Sequence, residues 1–287
     1  MKRVPADRDE FHDRNQRFNL LTQLFKMKIR ISFFFIILFM ASYTDAKEVF
    51  TPSLYPNTAY KTGENLTYQI RYGFMVGGIT TLSLNEGVYK DKLVYHALAI
   101  GQTTGMADNI YGVKDIYESW FDKETNLPYK QIRKIKEGRY TQYNEVTYNR
   151  ENNTVDSKLS GIHSVPAKIL DLSSTFYYIR RLDFSKVNEG DAVSVNMYFS
   201  DEIFPFHLIY KGKETIKTKF GSISCIKISP LVEVGRMFKA QDDLTIWFTD
   251  DANRLPVLVR MDIRIVGSVY LKLIEYKNNA NPLMFQR

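Results

Sequence analysis

A mostly antiparallel β fold is predicted by three observations. The hydrophobic pattern past residue 60 has a period of two almost throughout, each run ends in turn residues, and no helical segments alternate with the runs. The first run, Leu66-Thr67-Tyr68-Gln69-Ile70-Arg71-Tyr72, alternates and stops at Gly73. Gly77-Gly78 opens a second run over 79–84, and others follow at 93–100, 115–121, 129–136 and 140–148. Gly, Asn or Pro bounds each of them, as in strands joined by hairpins. Tyr, Val, Ile and Thr dominate, which suits a half-buried pleated surface. A parallel sheet needs crossover helices between its strands, and the pattern has none.

One principal helix is expected near 171–181. Asp171 can cap it, and Leu172, Phe176 and Ile179 fall at i, i+4 and i+7 as an apolar stripe. Asp171 at its start and Arg180-Arg181 at its end suit the helix dipole. Such a helix is expected to close one end of a sheet. Strands resume after Asn188-Glu189-Gly190-Asp191, at 193–199, 206–211, 214–220, 222–229, 244–248, 257–266 and 268–276. The tail past Tyr276 is Asn-rich and is expected to fray.

The two halves of the chain resemble each other. Trp120-Phe121 leads through an acidic turn and Asn126 to Leu127-Pro128, and Trp247-Phe248 leads through an acidic turn and Asn253 to Leu255-Pro256. Arg254 is the one added residue, placed in the turn where insertion is tolerated. A longer loop precedes each Trp strand, 103–114 in one half and 230–241 in the other. The expected architecture is two similar curved sheet halves, about 60–160 and 191–277, forming a half-barrel or a sandwich and joined through the helix. Residues 47–287 are read as a single β-rich domain built of these halves.

Residues 1–46 read as an N-terminal extension followed by a secretory signal peptide. Lys26, Lys28 and Arg30 precede the apolar run Ile31 to Met40, and Thr44-Asp45-Ala46 offers small residues for a cut after Ala46. Met27 is read as the true start, with the stretch before it a mis-assigned extension. The run is about half of the roughly 20 residues that a spanning helix needs, so no membrane span is expected in the mature protein. No Cys lies at the cleavage site, which excludes lipid attachment there and places the protein in the periplasm as a soluble, exported chain. Residues 1–46 hold 8 of the 39 basic and 5 of the 32 acidic residues, so without them the net charge falls from +7 to +4. Charges are interspersed, and no nucleic-acid partner is expected.

Catalytic signatures are missing: there is no G-x-S-x-G, H-E-x-x-H, phosphate-binding loop or dinucleotide fingerprint. His96, His163 and His207 show no metal-ligand spacing, and Cys225 lies in a strand-like stretch as a small core residue. No metal and no cofactor is implied. Asp122, Glu124, Asp250 and Asp251 read as turn residues that bond their own backbone. Glu118, mid-strand on the face of Ile116 and Trp120, is expected to pair with Arg133 or Lys134.

Several motifs stand in order along the chain: Lys61-Thr62-Gly63-Glu64-Asn65-Leu66-Thr67-Tyr68 with Gly77-Gly78, then Tyr117-Glu118-Ser119-Trp120-Phe121-Asp122 with Leu127-Pro128-Tyr129. Asp171-Leu172-Ser173-Ser174 with Tyr177-Tyr178-Ile179-Arg180, Tyr210 to Ile216 and Ile246 to Asp251 complete them, over about residues 60–277. Together they resemble an exported bacterial family, the domain of unknown function 3108. The resemblance implies a signal-peptide-bearing, mostly-β envelope protein of Gram-negative bacteria. It implies no activity and no functional residues.

Aromatic richness, export and a curved scaffold point to non-enzymatic binding of an apolar or amphipathic ligand, a lipid or glycan. The alternatives are a structural or interaction module that docks an envelope protein, and a hydrolase using carboxylates such as Glu118 and Asp122. Loop position nominates Met106, Tyr111, Met237 and Phe238 at the mouth of a pocket, with Trp120 and Trp247 on the strands leading into it.

Overall fold

The computed structural model describes residues 49–50, 53–232, 238–264 and 267–286. The signal-peptide reading of residues 1–46 lies outside the described residues, as does Met237. The first part of the chain gives β1 (Val49–Phe50), β2 (Asn65–Tyr72), β3 (Met75–Tyr89), β4 (Lys92–Thr103), a short helix α1 (Met106–Ile110), β5 (Lys114–Phe121), β6 (Pro128–Glu137), β7 (Tyr140–Asn149), β8 (Thr154–Ser157) and β9 (Gly161–Ser164). Helix α2 (Leu172–Ile179) follows, then β10 (Ala192–Phe199), β11 (Glu202–Thr218), β12 (Gly221–Pro230), β13 (Leu244–Thr249), β14 (Pro256–Ile263) and β15 (Gly267–Lys277).

The fifteen strands among the described residues form one sheet, in the order β1-β10-β11-β12-β13-β14-β15-β2-β3-β4-β5-β6-β7-β8-β9. Every neighbouring pair is antiparallel except β1 with β10. Two-residue turns with both residues left-handed close the β3–β4 and β10–β11 hairpins, at Lys90-Asp91 and Ser200-Asp201. That turn shape matches the right-handed twist of the flanking strands. Strands at opposite ends of the order touch the same helix, since α2 packs on β4 and β5 and also on β10. The sheet therefore curls around the helix as an open half-barrel, and the sandwich alternative is set aside.

The two halves are joined in two ways. The helix joins them as expected, packing on β4, β5 and β10, and main-chain pairing adds a second joint, with β15 running antiparallel to β2 through Leu273↔Tyr68 and Leu271↔Ile70. Both strands carry alternating apolar side chains, so the ladder continues with one face still buried. The 206–211 and 214–220 runs are also a single strand, β11, with a register shift between Tyr210 and Lys213. The tail is docked: Leu283 is buried, Asn281 N–H donates to Asn253 (2.9 Å), and Gln286 N–H donates to Ser222 O (2.8 Å). The Asn281 amide also donates to Thr58 O (2.8 Å), and that of Asn278 to Gly63 O (3.0 Å).

The two Trp-Phe hairpins share their irregularities. In each, the register shifts directly after the Trp, with Trp120↔Lys130 followed by Phe121↔Pro128 and Trp247↔Leu258 followed by Phe248↔Pro256. In each, a left-handed residue precedes Leu-Pro: Asn126 (φ 63°) and Arg254 (φ 48°). The acidic residues cap these turns. Asp122 accepts from the N–H groups of Glu124 and Thr125, and Asp251 from those of Asn253 and Arg254.

Helix α2 has the expected cap: Asp171 accepts from Ser174 N–H (2.7 Å), and the Ser174 hydroxyl accepts from Asp171 N–H (3.0 Å). Its C-terminal arginines act differently from the dipole expectation. Arg180 is fully buried and grips both Glu64 oxygens (2.6 and 2.8 Å), the carbonyl of Ala59 (2.8 Å) and that of Asn253 (3.1 Å). Arg181 reaches the Asn126 amide oxygen and the carbonyls of Glu124 (2.6 Å) and Tyr55 (3.0 Å). One helix end thus holds both repeated turns. Breaking a buried pair leaves an uncompensated charge, which costs about 3–5 kcal/mol. Arg180→Met is expected to lower the unfolding free energy by about that amount in urea titration, and Glu64→Leu/Arg180→Met to recover much of the loss. Equal stability of the single and double variants would show that the pair does not couple.

Candidate functional site

Between α2 and the inner face of the sheet lies a cavity of about 130 Å³ lined almost wholly by apolar atoms. The helix contributes Leu172, Phe176 and Ile179, β2 to β4 contribute Tyr68, Leu82 and Ala99, and the far wall holds Phe248, Val259, Met261 and Leu271. The space exists because small side chains, Ala97 and Ala99 on β4 and Ser173 and Thr175 on α2, stand where larger ones would meet. The stripe read from the sequence covers only part of the buried surface: Ser173, Ser174, Thr175 and Tyr177 are buried too, because the sheet encloses the helix on more than one side.

Polar groups gather at the two ends of the helix. Tyr68 and Tyr177 both line the cavity, and neither hydroxyl has a hydrogen-bond partner among the described residues. Burial pushes both phenols up, and both feel the charges of Glu64 and Arg180. Around the Arg180 guanidinium stand the rings of Tyr60 (5.2 Å), Tyr177 (5.5 Å) and Phe176 (5.6 Å). At the other end, Asp171 is buried and its carboxylate accepts from the Ser119 hydroxyl of β5 (2.5 Å). Burial pushes the Asp171 carboxyl up to about 6, against the lowering effect of its bonds from Ser119 and Ser174.

The model for the family described as "Protein of unknown function (DUF3108)" matches residues 67–274. The chain belongs to the DUF3108 family. The DUF3108 match takes in the cavity walls and the whole of α2, while Glu64, the partner of Arg180, lies just before it. Among solved structures, the chain is similar to a β-barrel-like protein of the domain of unknown function DUF1849 from Brucella abortus, with a TM-score of 0.51 and 10% identity over 76% of this chain and 99% of that one. At that identity the likeness shows the fold alone. A Bacteroides fragilis protein described with a YmcC-like fold gives a TM-score of 0.34 at 10% identity, over 79% of this chain and 99% of that one, too low for an argument from shape. No curated protein matches.

None of the described residues nominated from the DUF3108 sequence lines the cavity. Met106 is exposed on α1. Tyr111 is tied to the β6–β7 turn, its hydroxyl donating to Glu137 O (3.0 Å) and its ring lying where a Cβ on Gly138 would come within 2.7 Å. Trp120 stacks on His96 at 4.3 Å with Lys130 over its ring, and the Trp247 indole N–H donates to Glu214 (3.0 Å). Both Trp point away from the helix. Ile246 and Phe248 line the cavity on either side of Trp247, and Ser119 beside Trp120 bonds to Asp171. The Phe after each Trp takes the inner position: Phe248 lines the cavity and Phe121 packs on Tyr177 (5.5 Å). Phe238 is buried with Val232, Leu244 and Met261, against inner-face residues that also wall the cavity, without lining it itself.

The other chemical readings resolve into local pairing. Glu118 pairs with Lys134 (3.1 Å) and His96 (3.2 Å), while Arg133 turns to Ser200 and Gln142. Cys225 is buried, and burial pushes its thiol up to about 12. Among the described residues no group of three His, Cys, Asp or Glu side chains is placed to hold a metal ion.

The Asp171 carboxyl gives this site a pH dependence. An acid whose pKa is raised in the fold binds its proton more tightly folded than unfolded. Its contribution to stability is complete below the unfolded value of about 3.9 and is lost as pH rises through about 6. Asp171→Asn keeps a capping oxygen but cannot ionise. The stability of the variant relative to wild type is therefore expected to rise between about pH 4 and pH 6 and to level off above. Guanidinium titrations across that range check it, and parallel curves for the two proteins would exclude it.

Proposed function

We propose that this DUF3108 protein is an exported, non-enzymatic envelope protein that binds an apolar or amphipathic ligand between α2 and the curled sheet. The observation that carries the reading is the apolar cavity, whose lining includes Tyr68 and Tyr177, two residues with buried, unpartnered hydroxyls among the described residues. Apolar cavities of about 150 Å³ stay dry and accept a benzene-sized ligand. Whole drug-sized ligands occupy about 300–1,000 Å³. A space of about 130 Å³ suits one segment of an acyl chain and not a complete lipid. Tyr68 and Tyr177 favour a ligand with a polar group beside that segment, because a bond to it would satisfy a buried hydroxyl that otherwise costs free energy. Glu118 and Asp122 are each held by neighbours, which favours binding over hydrolysis.

Export to the periplasm by a signal peptide cut after Ala46, without acylation, is part of the same proposal and rests on the sequence of residues 26–46. An internal duplication is proposed as well, supported by the shared bulges and left-handed turn residues of the two Trp-Phe hairpins.

A fluorescent fatty acid tests the cavity. Wild type is expected to bind it, and Ala99→Leu, which places three more carbons in the space, to weaken binding by at least about tenfold, or about 1.4 kcal/mol. Tyr177→Phe is expected to leave stability unchanged or raised, while weakening a ligand that carries a polar head. Native mass spectrometry of protein from its own envelope reports the natural occupant. Undiminished probe binding by Ala99→Leu would place the ligand elsewhere.

A further inference from the structure

One end of the half-barrel presents apolar side chains that are exposed among the described residues. The β2–β3 hairpin tip carries Tyr72, Phe74 (86% exposed) and Val76, and α1 carries Met106 (72% exposed) and Ile110. Single exposed apolar residues are ordinary. The hairpin and α1 stand side by side at this end, because Thr104 N–H donates to Gly77 O (3.1 Å) and fixes the α1 loop beside the hairpin base; by register Tyr72 lies on the inner face and Val76 shares the other face with Arg71. Such a cluster marks an interaction surface.

Its position relative to the cavity is set by register. Tyr72 pairs with Val269, and Val269 pairs with Met261, a residue of the cavity wall. One step back along the same rows, Ile70 pairs with Leu271 and Leu271 with Val259, both wall residues. The inner face of β14, β15 and β2 is thus apolar from the cavity to the exposed tip.

The flanking charge is basic. Arg71 donates to the Phe74 carbonyl (2.9 Å), Lys114 begins β5, and Arg139 stands in the β6–β7 turn, which Gly138 N–H ties to Gly112 O (2.8 Å). Lys114 and Arg139 are exposed. Of the acidic residues in these segments, Asp108 accepts from the Thr103 hydroxyl (2.8 Å) and Glu137 is buried.

We propose that this rim is a membrane-docking surface: Phe74 and Met106 insert into the interface of a bilayer containing anionic phospholipid, with Arg71, Lys114 and Arg139 against the headgroups. Aromatic and apolar side chains inside a basic frame are the chemistry by which peripheral proteins hold to such a surface. A neighbouring protein patch would not require that combination. The proposal rests on the cavity reading for its purpose, since docking brings the cavity wall to the source of acyl chains, but the surface can be tested apart from it.

The test uses the mature chain, with vesicles of phosphatidylcholine alone or mixed with phosphatidylglycerol. Wild type is expected to sediment with the mixed vesicles, more weakly as salt is raised. Phe74→Asp and Met106→Asp are each expected to reduce partitioning by about tenfold or more, because an exposed ring or thioether no longer leaves water. Lys114→Glu should weaken binding to mixed vesicles and not to neutral ones. Melting temperature and uptake of a monomeric fluorescent fatty acid should be unchanged in all three variants. In Phe74→Trp, indole emission should shift to the blue on adding vesicles. Wild type that stays in the supernatant, or Phe74→Asp that sediments as well as wild type, overturns the proposal. So does self-association that is abolished by Phe74→Asp without any vesicle binding, which would assign the rim to a second copy of the chain. Loss of probe uptake by Ala99→Leu with vesicle binding intact supports both readings. No probe uptake in wild type, with vesicle binding that Phe74→Asp abolishes, sinks the cavity reading and leaves the docking surface standing.

Discussion

A single buried ion pair organises this molecule. Arg180 has no access to solvent and Glu64 almost none, so their charges are stable only if every donor and acceptor finds a partner. The fold meets that demand from separate parts of the chain: Glu64 from the entry to β2, the carbonyl of Ala59 before it, and the carbonyl of Asn253 in the β13–β14 turn. Arg181, the next residue, does the same for the β5–β6 turn through Asn126. The end of α2 therefore acts as a hub from which both repeated turns are positioned. Curvature follows, since a sheet fastened at two distant hairpins to one short helix must bend around it.

The cavity follows from the same constraint. A helix held at Asp171 by its cap and Ser119, and at Arg180 by Glu64, cannot slide to improve its packing. Small residues on α2 and β4 then leave space that neighbours do not collapse into. Tyr68 and Tyr177 take their unpartnered hydroxyls from this arrangement as well, because their rings are needed beside the guanidinium and the apolar wall. The fold thus tolerates a local cost beside the cavity.

The site was less legible in the sequence than the fold. Loop length and aromatic content drew attention to Met106, Tyr111, Phe238 and the two Trp. The structure gives them separate places: Met106 is exposed, Tyr111 braces a turn, Phe238 packs on residues that wall the cavity, Trp247 is buried in the core and Trp120 stacks on His96. A usable signal did exist in the alternation. With Ser119 and Phe121 on the face opposite Trp120, the Phe of each Trp-Phe pair had to share a face with the helix. The Glu64–Arg180 contact left no such trace, since 116 residues separate its partners and nothing local distinguishes either from a surface charge.

By itself the sequence determined what depends on nearby residues. The period of two set which segments are strands, the turn residues set where they end, and Asp171 with Ser174 set where the helix begins. The matching Trp-Phe hairpins were readable for the same reason, down to the bulge beside each Leu-Pro. Only the tertiary structure decided what depends on distant partners. It joined β15 to β2 and so turned two halves into one open sheet, it docked an Asn-rich tail, and it enclosed α2 on several sides. Alternation states that a strand has an inner face. It does not state which strand lies beside it or what that face encloses, because the burial free energy is nearly the same for any apolar partner and is made specific only by register, buried charge and the shape of the space that remains.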